Sequence, residues 1–304
     1  MACEAPIPAY RPATGGPLKF RPPTDGRAYI PIQIPCGICI LCLEEKARQW
    51  AVRIAHEATM HEHSCFITLT YNKEHEPAHG SLQYDDLQKF WKRLRQNMVR
   101  EAKRNRTKLP ATRYYAVGEY GDIGHRPHYH ACIFGHSFTR ERRILRTSPT
   151  ILWTNPDLER AWSDNKGKPI GYVSVGALNY LTASYTASYV TKKLARKQKY
   201  VRIDEQTGEL IALEQPRAFM SKNIAREWYE KFGHQVTEND YIVINGTRQK
   251  PPAAYDRWLK ARDEKKIEEI KERRKEQATK LTSEQLRARA RNAHARAKSK
   301  KKSV

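Results

Sequence analysis

No stretch of the 304-residue chain approaches the ~18 consecutive apolar residues that a membrane-crossing helix requires. The amino-terminal MACEAPIPAYRPATGG has no apolar run to serve as a signal-peptide core. Neither secretion nor membrane insertion is expected. Apolar residues make up 39% of the chain, below the ~45–50% of an average globular domain. That suffices for one core if part of the chain lies outside it. No phosphate-cradling Gly-x4-Gly-Lys-Ser/Thr loop is present, because the Gly167-Lys168 pair runs into Pro169. An ATP-driven helicase is therefore not encoded. Acidic residues are also scarce: 56 Lys+Arg against 33 Asp+Glu leaves 56 − 33 = +23. Such an excess favours a polyanionic partner, nucleic acid first and a membrane surface second.

The charge is unevenly spread. From Lys260 to Val304 there are 17 Lys/Arg and 7 Asp/Glu, and glycine, proline and aromatics are absent after Trp258. This segment reads as a basic, helix-prone, poorly packed tail with a disordered end from Lys298, suited to nucleic-acid contact. Inside the chain, LQKFWKRLRQNMVREAKRNR places Leu87, Trp91, Leu94 and Met98 at helical spacing behind Asp85 and Asp86, as an amphipathic helix would. Its other side carries Lys89, Lys92, Arg93 and Arg95, a candidate track for DNA. At the amino terminus Pro6, Pro8, Pro12, Pro17, Pro22 and Pro23 predict an extended arm. The expected organisation is an arm over 1–35, a cysteine-rich segment and helix over 36–60, a core over 61–200, elements packed on it over 201–260 and the tail over 261–304.

There are six cysteines, and Cys36, Cys39 and Cys42 form a C-x2-C-x2-C run. Disulfides are not expected without a secretory context. The spacing suggests metal, yet tetrahedral zinc wants four ligands. Cys65, His56, His61 or His63 could supply the fourth. A ferredoxin-like run would place a cysteine where Lys46 stands, which disfavours an iron–sulfur cluster. Three thiols packed in a turn before a helix over Leu43–His56 is the plain alternative.

Three strand-like runs follow: Ser64–Tyr71, Thr112–Tyr120 and Tyr129–Phe134, with the basic helix between the first two. This order predicts an α+β fold with a central antiparallel sheet flanked by helices. Residues two apart in a strand share a face, so His128 and His130 present paired imidazoles, and a hairpin would bring Glu119 toward them. Two imidazoles and a carboxylate make a mixed N/O site for a catalytic divalent ion. Downstream, ALNYLTASYTASYVTKKLARK predicts a helix that sets Tyr185 and Tyr189 one turn apart, with Lys192 and Lys193 following. Leu181, Ala187, Val190 and Leu194 would supply its packing. A phenol with a pKa of ~10 is a poor nucleophile unless a lysine ammonium and a polarised phosphate assist it.

In order, FITLTY, HRPHYHACIFG and YTASYVTKK resemble the three motifs of the HUH endonucleases, the rolling-circle replication initiators. His128-Tyr129-His130 matches the second motif. In viral members a Glu on the preceding strand is the third metal ligand, which maps onto Glu119. Tyr185, Tyr189 and Lys192 match the Tyr-x-x-x-Tyr-x-x-Lys of the two-tyrosine group. The cysteine run followed by Arg48-Gln49-Trp50, together with FMSKNIAREWYEKF and PPAAYDRWL, resembles the replication initiators of gokushovirus-type Microviridae, over about Pro35 to Leu259. Two departures stand out: Asn223-Ile224-Ala225 replaces a Gly-Ile-Gly-like turn, and His125 replaces a small residue before the second motif.

The resemblance implies Mg2+- or Mn2+-dependent nicking of the viral replicative form and a covalent 5′-phosphotyrosine linkage. It implies rejoining by the second tyrosine, with no nucleotide cofactor. Single-stranded and replicative-form viral DNA, a host helicase and a host polymerase would be the partners, in the host bacterial cytoplasm. Two other classes remain on the residues alone. One is a non-catalytic basic nucleic-acid binder stapled by zinc at Cys36, Cys39 and Cys42. The other is a metal-dependent hydrolase that uses water as its nucleophile.

Overall fold

The computed structural model describes residues 3–109, 111–121, 124–194, 200–204, 206–279 and 281–302, with side chains at 189–194 and 297–302 excluded. In chain order the elements are β1 (Ile7–Pro12), β2 (Tyr29–Ile34), α1 (Ile40–Ala58), β3 (Ser64–Tyr71), α2 (Tyr84–Asn105), β4 (Arg113–Tyr120) and β5 (Pro127–Phe134). Then come β6 (Arg143–Arg146), β7 (Leu152–Thr154), α3 (Pro156–Ala161), β8 (Gly171–Ala177), α4 (Tyr180–Leu194), β9 (Val201–Ile203), β10 (Leu210–Ala212) and β11 (Ala218–Met220). The chain closes with α5 (Arg226–Asn239), β12 (Ile242–Ile244), β13 (Thr247–Gln249), α6 (Ala253–Arg262), α7 (Glu264–Glu276) and α8 (Ser283–Lys302).

Seven strands form one antiparallel sheet in the order β11-β4-β5-β3-β8-β7-β6. The α+β expectation holds, and the three strand runs fall on β3, β4 and β5. Strand alternation gives the sheet two different faces. On one, Ile67, Leu69, Tyr71, Tyr129, Ala131 and Ile133 pack under α2 and α3. Helix α2 buries Leu87, Phe90, Trp91, Leu94 and Met98, with Asp85 and Asp86 in its first turn, where negative charge suits the unpaired N–H groups. On the other face, Phe66, Tyr115, Val117, Cys132 and Phe134 pack under Ala47, Ala51 and Ile54 of α1 and Ala183 and Ala187 of α4.

The β11–α5 turn keeps left-handed backbone at Asn223 (φ 56°) and Ala225 (φ 64°). This departure from a Gly-Ile-Gly pattern therefore changes the residues and leaves the positive φ angles in place. Asparagine tolerates that region readily and alanine does not. The Ala225 N–H donates to Glu57 Oε2 at 2.6 Å, which helps hold it there.

The carboxy-terminal segment is helical, as its composition suggests, but it is more closely attached than expected. Ile267 and Ile270 of α7 are buried, and Arg274 pairs with both Asp240 and Asp256 at 2.6 Å. Ala290 and Ala293 of α8 are buried against Leu41. Small side chains on a basic helix let its backbone sit close to the core while the long lysines and arginines stay in water. The expected disordered end is instead helical through Lys302.

Candidate active site

The register of β3, β4 and β5 assembles the site. His128 lies opposite Glu119 on β4 and opposite Thr70 on β3; His130 lies opposite Val117 and Thr68. All of these residues share the face covered by α1 and α4. Glu119 Oε1 stands 2.8 Å from His128 Nε2 and 2.9 Å from His130 Nε2. The two imidazole rings are 5.0 Å apart and nearly perpendicular. Glu119 and His130 are buried and His128 is half-buried. Burial alone would raise the Glu119 carboxyl pKa. The hydrogen bonds from His128 and His130 outweigh it and hold the group below its ordinary value.

The proton pattern suits a cation. His128 Nδ1 lies 3.1 Å from the Arg126 carbonyl oxygen, so Nδ1 carries a hydrogen and donates it. In a neutral ring Nε2 then presents a lone pair, and a lone pair does not rest 2.8 Å from a carboxylate oxygen without positive charge to reconcile them. Glu119 Oε2 is buried with no hydrogen-bond partner, a costly state for a carboxylate oxygen. One carboxylate and two imidazoles, each ring held from behind, therefore fit a divalent ion. The holding group for His130 is Thr68, whose Oγ1 is 2.9 Å from Nδ1. The motifs do not single out Thr68, although the alternation of FITLTY already sets it on the histidine face.

Helix α4 brings a phenol to this centre. Asn179 Oδ1 accepts the Leu181 and Thr182 backbone N–H groups, which starts the helix and fixes its phase. The Tyr185 ring meets His130 edge to face at 5.3 Å and Phe66 at 6.4 Å. Phe66 in turn stacks on His130 at 5.3 Å. Tyr185 is 37% exposed, so an incoming strand can reach it. Tyr189 follows one helical turn on and Lys192 and Lys193 lie beyond it; their side chains fall outside the described residues, as do those of Val190 and Leu194. Leu181, expected to pack, is 75% exposed. Ala183 and Ala187 take its place, since small residues let α4 lie close to the sheet and α1.

Other sequence candidates lie elsewhere. Lys89, Lys92 and Arg95 are exposed on α2, across the sheet from Glu119, His128 and His130. Arg93 donates to Asn165 at 3.0 Å. Exposed His125 does not join the metal-ligand group among the described residues. The fourth partner of Cys36, Cys39 and Cys42 is none of the four residues expected. Cys65 is buried in the core under α2, His56 Nδ1 bonds Tyr255 at 2.6 Å, His61 bonds Glu57 at 3.1 Å, and His63 lies 3.7 Å from Glu62. Cys3 fills the position instead, within 4.8 Å of the other thiols. It is 33 residues from Cys36, and only the folded arm closes that gap.

Comparison with known proteins agrees with this picture. The family model for the replication-associated protein ORF2, or gene-two protein, matches residues 64–194, which run from β3 through α4. Replication-associated protein VP4 of Bdellovibrio phage phiMH2K is 32% identical over 272 residues, covering 86% of this chain and 78% of the relative. Replication-associated protein ORF2 of Spiroplasma virus 4 is 28% identical over 299 residues, covering 91% of this chain and 87% of the relative. Replication-associated protein ORF4 of Chlamydia phage 1 is 26% identical over 222 residues, covering 71% of this chain and half of the relative. No solved structure matches the chain. With similarity of this extent running through the strands and helix that build the site, the chain belongs to the gokushovirus-type family of replication-associated proteins of Microviridae-type phages.

Proposed function

We propose that the protein initiates rolling-circle replication by nicking and rejoining viral DNA through a tyrosine. The observation that carries this reading is the Tyr185 ring, partly exposed and 5.3 Å from the His130 ring. A nucleophile and a cation site thus share one surface. Glu119, His128 and His130 would hold a Mg2+ or Mn2+ ion, which when bound polarises the scissile phosphate and offsets its developing charge. Thr68 and the Arg126 carbonyl fix the two imidazoles, and Phe66 supports the ring of His130.

The Tyr185 hydroxyl attacks phosphorus. Its O–H bond and the P–O3′ bond break, a phosphotyrosine bond forms at the 5′ end, and the proton ends on the departing 3′ oxygen. One ester replaces another, so no nucleotide is hydrolysed. Tyr189 is assigned the second attack, and Lys192 and Lys193 the stabilisation of charge at the phosphate. Because α2 covers the far face, Lys89, Lys92, Arg93 and Arg95 are assigned to DNA outside the scissile segment. The substrates are single-stranded and replicative-form viral DNA in the cytoplasm of the bacterial host. Unwinding and copying fall to a host helicase and polymerase.

The test is a single-stranded origin oligonucleotide with Mn2+ or Mg2+, resolved on a denaturing gel. An adduct that survives denaturation is expected, and it should vanish when Tyr185 and Tyr189 are both changed to Phe. Cleavage without adduct would point to a hydrolase. A shift on native gels alone would point to a non-catalytic binder. Adduct that persists in the double variant would move the nucleophile to another tyrosine.

A further inference from the structure

We infer that Cys3, Cys36, Cys39 and Cys42 hold one structural zinc ion that fastens the amino-terminal arm to the start of helix α1. The four Sγ atoms lie within 4.8 Å of one another, and the Cys39 and Cys3 sulfurs are 3.9 Å apart. A tetrahedral site with Zn–S of about 2.3 Å sets its sulfurs about 3.8 Å apart. The backbone is also arranged for thiolates. Cys39 N–H donates to Cys36 Sγ at 3.3 Å, and Cys36 N–H donates to Cys3 Sγ at 3.3 Å. Gly37 turns the loop between them with φ 77°.

A disulfide, an iron–sulfur cluster and simple packing each fit these four thiols less well. None of the six cysteines is in a disulfide, and a sulfur–sulfur bond needs about 2.0 Å. A multi-iron cluster would place its own atoms between the thiolates and hold them farther apart. Packing alone leaves unexplained the backbone donors turned onto sulfur, because a thiol is a weak acceptor and a thiolate a strong one.

Zinc joining four thiols releases four protons and leaves a site with charge −2. That charge sits where the fold can accommodate it. Cys39 is the N-cap of α1, a helix with no acidic residue in its first turn and no side-chain cap. The unpaired N–H groups and dipole of a helix start favour negative charge.

The arm needs such a fastening. Strands β1 and β2 pair only with each other, and neither has more than slight contact with any other named element. A lone two-stranded hairpin is marginal in water. Cys3 just before it is 2% exposed, and Cys36 follows it, so the metal closes both of its ends. Beside the site, Leu41 meets Ala290 and Ala293 of α8. The same staple thereby steadies the seat of the carboxy-terminal helix.

Metal analysis of the purified full-length chain, dialysed against a weak chelator, tests this. About one zinc per chain is expected, and Cys3→Ser should retain it at least about tenfold less well. His130→Ala should retain it fully, which separates this ion from any at Glu119. Hydrogen exchange should show residues 7–34 losing protection on zinc removal while β3, β4 and β5 keep theirs. If Cys3→Ser does not fold, titration of the wild-type chain with a mercurial decides: four thiol equivalents per zinc released support the site. Three equivalents, a zinc-free or iron-bearing wild type, undiminished zinc in Cys3→Ser, or loss of zinc in His130→Ala would each overturn it.

Discussion

The two faces of the central sheet share the same strands and differ in what they bury. Under α2 and α3 the face is apolar and aromatic, and its hydroxyls are paired: Tyr129 donates to the Gln83 carbonyl at 2.7 Å, and Tyr71 donates to Asp86 at 3.0 Å. Under α1 and α4 the same strands carry Glu119 and His130, and the covering helix α1 adds His56 and Glu57; all four are buried. Among the described residues, buried acids and histidines are confined to the α1 and α4 side. One face therefore serves mainly as a core. The other carries desolvated charge, which is expensive unless paired and chemically useful where it is concentrated.

Four expected outcomes would sharpen or break this contrast. Glu119→Gln keeps the shape but removes the anion, and nicking should fall at least about a hundredfold, since disturbing even the groups behind metal ligands costs 10–100-fold. Near-normal nicking by this variant on the origin oligonucleotide would dismiss the site.

Acid should attack the histidine-bearing side first. Burial pushes the His56 pKa down to about 3 from an ordinary 6.5. Between those values the unfolded chain binds a proton that the folded chain refuses, so this stability is fully present above about pH 6.5 and is lost as pH falls toward 3. Glu57 acts in the same direction. Burial alone would raise it, but bonds from His61, the Ala225 N–H and Arg113 leave it lowered, so protonating it at low pH also destabilises the fold. Urea melts of His56→Gln across that range should show a flatter pH dependence, and an unchanged slope would remove His56 from the account.

Thr68→Val should weaken metal binding and nicking by about 10–100-fold while leaving the melting temperature nearly unchanged. On the other face, Tyr129→Phe should do the reverse. It should cost about 1–2 kcal/mol of stability in denaturant melts and spare nicking. Loss of activity in the folded Tyr129→Phe protein would show that the faces are coupled.

Much of this was legible in the sequence because it depended on local periodicity. Alternation in Ser64–Tyr71 and His128–His130 set the strands and the imidazole pair. The helical spacing of Leu87, Trp91, Leu94 and Met98 set α2. Glu119 was legible because a hairpin joins β4 to β5. What escaped depended on contacts between distant segments. Cys3 meets Cys36 only through the folded arm, and four nearer residues looked more plausible. Which face α2 would cover was equally hidden, so its lysines and arginines read as neighbours of the site. Leu181 misled because hydrophobicity was taken for burial, whereas close approach favoured Ala183 and Ala187. The attachment of α7 rests on Arg274 meeting Asp240 and Asp256, a pairing no local pattern announces.

Strand β5 alternates between the two faces at every step, so it cannot change length. Inserting or deleting a single residue before His128 would turn both histidines into the apolar layer under α2 and swing Tyr129 into the cation site. Core and chemistry would be lost together, with no partly working intermediate. The exposed turn at Gly124 and His125 has no such constraint. Variation in length among phages carrying this protein should therefore collect in that turn and stop abruptly at Pro127, where the strand begins.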